Sequence, residues 1–131
     1  MTKLKFSVPG NPLALARPRF GRHHVFDSQQ LEKLSSGLSI RNQMGNKPMF
    51  TNCPLFIDII FYMKIPKGSL KKRAEYIDKF HICRPDTDNC IKFLLDTCNN
   101  IVYQDDSLIA KITATKIYGD DPRTDFTIGT L

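Results

Sequence analysis

Asp86 and Asp88 stand two positions apart in the stretch Arg84-Pro85-Asp86-Thr87-Asp88-Asn89-Cys90-Ile91-Lys92, so in an extended or turn backbone both carboxylates point to the same side. With Asp88 at the start of a helix, Lys92 lies one turn further on along the same face. Asp105 and Asp106 follow after a length of chain that accommodates one helix and one strand, enough to run back and bring a third carboxylate to the first two. Hard Mg²⁺ prefers carboxylate oxygens and keeps several waters, so two or three aspartates suffice for a site completed by solvent and a substrate phosphate. An ion held in this way generates hydroxide and stabilises charge at phosphorus. A neighbouring ammonium such as Lys92 stabilises the developing oxyanion or the leaving group. The same residue types also have ordinary uses: an aspartate ahead of an apolar helical stripe is a common N-cap, and Asp-Asp-Ser is common turn chemistry. D-x-D also recurs as a metal motif in sugar transferases and phosphatases. Spacing alone therefore supports a divalent-metal site in a basic protein and leaves these readings open.

The elements that must position these residues follow from periodicity. After Pro85, Ile91, Leu94, Leu95 and Cys98 fall at i, i+3, i+4 and i+7, which predicts a helix of about ten residues ending at Asn99-Asn100. Ile101 to Gln104 and Leu108 to Tyr118 read as strands joined through Asp105-Asp106-Ser107, and Asp120-Asp121-Pro122 turns the chain into a last strand over 124–128. Leu55 to Met63 is β-branched and aromatic and apolar on both faces except at Asp58, the pattern of a central strand. Leu4, Phe6 and Val8 alternate with polar residues in a short first strand ended by Pro9-Gly10-Asn11-Pro12. Leu31, Leu34, Leu38 and Arg41 share a helical face over 28–42, with Asp27 or Ser28 as N-cap, and Ser69 caps a short basic surface helix through Tyr76. The expected fold is α/β (α+β): one domain over 1–131, with a mixed sheet of about five to six strands carrying two or three helices.

Charge divides the chain. The net charge of +6 combines 15 Lys/Arg against 5 Asp/Glu over residues 1–85 with 4 against 8 over 86–131. A broad basic surface attracts polyanions by counterion release, whereas carboxylates gathered in a basic protein hold cations. Arg17, Arg19 and Arg22, around Phe20 in the loop Ala16 to His24, are placed to grip phosphates, with the ring available to stack on a base. Lys71, Lys72, Arg73 and Arg84 add to the DNA-binding field, against the plainer reading of a charge run as a wet helix face. His23 and His24 read as phosphate or solvent contacts more than as ligands.

The longest apolar segment, 54–63, contains Asp58 and is too short to span a membrane. The start, MTKLKFSVPG, has neither the apolar run nor the cleavage site of a signal peptide. A cytoplasmic setting follows, in which Cys53, Cys83, Cys90 and Cys98 stay thiols and mostly fill the core. Cys90 and Cys98, more than two helical turns apart, are too distant to share one tetrahedral zinc.

The string from Arg84 to Asn89, followed by Lys92, Leu95-Asp96 and Asn100-Ile101-Val102-Tyr103-Gln104-Asp105-Asp106-Ser107-Leu108-Ile109, resembles the signature of the RusA family of Holliday-junction resolvases. The pattern is P-D-x-D-N, a lysine four residues after the second aspartate, L-D, and V-Y-x-D-D-S-x-I. The flanks agree more loosely, in Val8-Pro9-Gly10-Asn11-Pro12, Arg17-Pro18-Arg19 and Pro122-Arg123, while Phe80 to Cys83 carries nothing diagnostic. The resemblance implies a homodimeric, Mg²⁺-dependent endonuclease, with Mn²⁺ as a substitute, that places paired nicks in four-way DNA junctions during recombination and repair. It assigns Asp86, Asp88 and Asp106 to the metal and Lys92 to the active site, with Asp105 and Asn89 beside them in supporting positions. The rival expectations are a DNA-binding module whose aspartates are structural, and a D-x-D phosphatase or sugar transferase acting on a small substrate, against which the lack of a glycine-rich phosphate loop counts.

Overall fold

The computed structural model describes residues 2–16, 19–20, 25–26 and 29–131, of which 19, 20, 25 and 26 are described in backbone alone. In chain order the elements are β1 (Lys3–Pro9), β2 (Arg19–Phe20), β3 (Val25–Phe26), α1 (Gln30–Met44), β4 (Leu55–Lys64), α2 (Leu70–Tyr76), α3 (Thr87–Cys98), a 3-10 turn (Asp106–Leu108), β5 (Ile109–Gly119) and β6 (Arg123–Thr130). The α+β expectation holds. The main sheet has four strands in the order β1-β6-β4-β5, fewer than the five or six expected, and β2 and β3 form a separate two-stranded ribbon. The sheet is mixed: β4 runs parallel to β5 and antiparallel to β6.

The parallel β4–β5 pair needs a crossover, and α2 with α3 supplies it. From β5 the chain reaches β6 across the end of β4 through Asp120-Asp121-Pro122. Gly119 permits the tight passage, because a Cβ there would lie 2.9 Å from the Tyr62 ring.

Alternate residues of β4, from Leu55 to Met63, are buried against Phe6 and Val8 of β1, Phe126 and Ile128 of β6, Ile40 and Met44 of α1, and Cys90, Leu94 and Cys98 of α3. The other face of β4 carries Phe56, Asp58, Ile60 and Tyr62, of which Asp58 and Ile60 are exposed. The strand is therefore central, as its composition predicts. It is buried on one face, however, because both packed helices lie on that side.

Further expectations are corrected. In α1 the leucines that share the predicted helical face are exposed, Leu31 at 79%, Leu34 at 57% and Leu38 at 60%, while Gly37, Ile40 and Met44 are buried. The glycine lets that face come close: a Cβ on Gly37 would meet the Cδ1 of Ile101 at 3.2 Å. The N-cap is Gln29 and not the predicted Asp27 or Ser28, both of which lie outside the described residues. Ile101 to Gln104 is a turn and not a strand. Asn100 donates to the Tyr103 carbonyl and Val102 to that of Cys98, which folds the segment onto the end of α3, while Val102 and Tyr103 fill the core. The predicted stripe on α3 is also rotated: Cys90, Phe93, Leu94, Thr97 and Cys98 are buried, with Ile91 and Leu95 at its margin. Of the cysteines, Cys90 and Cys98 are core residues, Cys53 is half-buried and Cys83 is exposed, all with free thiols.

Candidate active site

Asp86 occupies the N-cap position of α3 with extended backbone (φ −70°, ψ 145°), yet its side chain makes no capping hydrogen bond. Its carboxylate is thus not spent on the local role that its position would assign. Asp88 lies in the first turn and is exposed, as is Lys92 one turn further on. The N-terminal end of a helix is a favourable place for negative charge. Beneath them the thiol of Cys90 is wholly buried, and its pKa is pushed up to about 11, mainly by burial and further by the charges of Asp86 and Asp88, while Lys116 acts in the opposite sense.

Asp105 and Asp106 divide their work. The Asp105 side chain accepts a hydrogen bond from the Ser107 backbone N–H (3.0 Å) and caps the 3-10 turn. Bonding to Ser107 lowers its pKa. Asp106 is half-buried, with no side-chain hydrogen bond or ion pair among the described residues. Tyr103 anchors the approach to this turn on α3, its hydroxyl donating to the Leu95 carbonyl (2.7 Å). The phenol's pKa is raised, first by burial and then by neighbouring charges that include Asp106.

The donor set can be weighed against a divalent ion. Asp86, Asp88 and Asp106 are all-oxygen donors, and none is paired with a protein cation among the described residues, whose ion pairs use Asp96, Asp121 and Asp125. In donor chemistry they fit a hard cation. In geometry the described residues hold no three His, Cys, Asp or Glu side chains close enough together to enclose an ion. Asp86 and Asp88 sit on α3, and Asp106 stands on the neighbouring 3-10 turn.

Arg84 is exposed and lines a cleft with Ala14, Pro85, Asp86 and Asn89. Asn89, half-buried, contributes its backbone carbonyl, which accepts from Leu15 N (2.9 Å). Gln29 grips the same strand of chain: its Oε1 accepts from Ala16 N (2.7 Å) and its Nε2 donates to Ala14 O (2.7 Å). The segment between Ala16 and Gln29, which carries the predicted DNA-contacting arginines, is therefore closed at its base and fastened to the head of α3. Arg17 and Arg22, with His23 and His24, lie outside the described residues, and Arg19 is described only as a backbone position in β2. Lys71, Lys72 and Arg73 are on α2, which has no buried residue and is capped by Ser69 as predicted. Tyr76, at the end of α2, packs edge-on against Tyr118 of β5 at 4.9 Å.

Over residues 9–129 the chain matches the family described as Endodeoxyribonuclease RusA. The chain belongs to this family. It is also similar to the uncharacterized protein YqaN of Bacillus subtilis (strain 168), at 28% identity over 137 residues, covering 98% of this chain and 96% of that protein. Membership of the RusA family brings endodeoxyribonuclease activity and supports neither of the D-x-D readings on small substrates. It also bears out the resemblance carried by residues 84–109. Among the described residues no helix is long and apolar enough to cross a membrane. Two features escaped the sequence reading: the Gln29 clamp, which has no local signature, and Lys116, a lysine in the core-facing alternation of β5.

Proposed function

We propose that this RusA-family chain is a Mg²⁺-dependent, structure-specific endodeoxyribonuclease that resolves Holliday junctions by paired nicking, acting as a homodimer in the cytoplasm. What supports this reading is the RusA motif with its three aspartates, none paired with a protein cation among the described residues, and the cleft in which Asp86 meets Arg84 and Ala14, in a protein of net charge +6. Asp86, Asp88 and Asp106 would hold the ion, which when bound supplies Lewis acidity toward a phosphodiester and its attacking water. Lys92, exposed one turn beyond Asp88, offers an ammonium to charge developing on the phosphate. Arg84 lines the cleft beside Asp86 and binds the flanking phosphate. Asp105 shapes the turn that presents Asp106. The basic loop with Arg17, Arg19 and Arg22, and α2 with Lys71, Lys72 and Arg73, grip the DNA backbone and carry the affinity. Two symmetrical nicks in a two-fold junction call for two sites related by a two-fold axis, which a C₂ dimer supplies.

The test is nicking of a synthetic four-way junction in Mg²⁺ by the wild type and by Asp86→Asn, Asp88→Asn and Asp106→Asn. Each substitution should abolish cutting and leave junction affinity largely intact, because the ion and the DNA grip use separate residues. Tight junction binding without cleavage by the wild type would instead favour a non-catalytic DNA-binding module, and parallel loss of binding and cutting in the variants would refute the division of labour.

A further inference from the structure

Lys116 breaks the pattern of its strand. It pairs with Phe61 across β4–β5 and so points, with Ala114 and Tyr118, to the face of the sheet that the helices cover. It is 9% exposed, within the range of the core hydrophobics around it. Burying an ammonium is costly unless its protons find acceptors, and a charged residue among apolar neighbours marks a place where function overrides packing.

The acceptors of Lys116 are informative. Nζ donates to the carbonyls of Cys83 (2.7 Å) and Pro85 (2.6 Å), the latter immediately before Asp86. Up to His81 the incoming chain is held along the edge of β5, Tyr118 N donating to Lys79 O (2.9 Å) and His81 N to Lys116 O (3.0 Å). From Ile82 to Pro85 the described residues form no backbone–backbone hydrogen bond, and order resumes where Cys90 N meets Asp86 O in α3. The two bonds from one buried ammonium thus take over where the sheet edge stops holding the chain. They fix the four residues that deliver Asp86 to the head of α3.

We propose that Lys116 is the positioning residue of the active-site loop: it holds residues 82–85 through two carbonyls and thereby sets where the Asp86 carboxylate stands relative to Asp88. This rests on the reading of Asp86 and Asp88 as the reactive carboxylates. Lys116 touches neither substrate nor ion, and it acts through the backbone of Cys83 and Pro85. Misplacing a reacting group by about an ångström is enough to cost up to a hundredfold in rate.

Lys116→Met keeps most of the apolar stem and removes both bonds, whereas Lys116→Arg retains a cation with donors. Hydrogen–deuterium exchange of the apo protein, with no metal or DNA present, should show faster exchange across 82–90 in Lys116→Met, unchanged exchange in β4 and β6, and recovery of most of the protection in Lys116→Arg. In the junction assay Lys116→Met should lose roughly tenfold to a hundredfold in kcat. Its junction Kd should stay at the wild-type value, a split that general destabilisation would not produce. If Lys116→Met does not fold, Lys116→Gln is held to the same criteria. Unchanged exchange across 82–90 overturns the proposal while leaving the nuclease reading standing. If the wild type cuts no junction the nuclease reading fails, and the exchange result still decides whether Lys116 holds the loop.

Discussion

Asp105 and Asp106 are neighbours that use the same functional group in opposite ways. One carboxylate is consumed by the Ser107 N–H and shapes the turn; the other keeps its oxygens. The contrast recurs at Asp86, which takes an N-cap position without capping. Residue type and position alone leave a backbone role open for all three. His81 illustrates burial acting on a single group. Its Nδ1 is buried without a hydrogen-bond partner among the described residues, and its ring lies 4.9 Å from that of Tyr118. Its pKa is lowered from 6.5, first by burial and then by the Lys116 charge, with its own backbone hydrogen bond acting the other way. The unfolded chain therefore takes up a proton near pH 6.5, which the folded protein binds only at lower pH. Stability from this source is complete above that pH, begins to be lost below it, and is gone once pH has fallen through the lower pKa of the folded state. Melting temperature measured on acidification from neutral pH should fall more steeply in the wild type than in His81→Phe, and identical slopes would show that His81 contributes nothing.

Between elements, two glutamines act as fasteners. Gln43 on α1 bonds both the N–H (2.9 Å) and the C=O (2.8 Å) of Ser7, standing in for a further strand on the free edge of β1. Gln29 does the corresponding work on Ala14 and Ala16, closing the basic loop. Each pair of bonds contributes about 1–2 kcal/mol. Gln29→Ala and Gln43→Ala should therefore lose similar stability in chemical denaturation. Only Gln29→Ala should also weaken junction binding, because β1 lies at the edge of the sheet opposite to β5, and Gln29 holds the loop at the head of α3. Equal affinities in the two variants would separate the loop clamp from DNA binding.

For the molecule as a whole, the balance of +6 is divided between a basic field and a localised set of carboxylates. DNA binding by such a field releases counterions, so junction affinity should fall steeply with salt. Arg17→Ala and Arg19→Ala should each weaken binding and reduce the slope of log K against log salt by about one. A slope unchanged in both variants would remove that loop from the DNA surface.

Much of this protein could be read along the chain, for reasons that differ between its parts. The RusA motif over 84–109 is legible because its chemistry depends on residue type at fixed spacing, and the major strands and helices are legible because 2.0- and 3.6-residue periods are local properties. Other features depended on what the folded chain brings near. The face of α1 that packs carries Gly37, close against Ile101, and leaves three leucines in solvent, and the placement of both packed helices on one face left the far side of β4 open. The Ser7, Ala14 and Ala16 backbone found its partners in side chains of α1 and its N-cap. Lys116 looks like one more lysine in a strand until the sheet carries it to within 2.6–2.7 Å of the carbonyls that precede Asp86. A periodic pattern records that a face is apolar, but which neighbour covers that face is a long-range contact that no local spacing encodes.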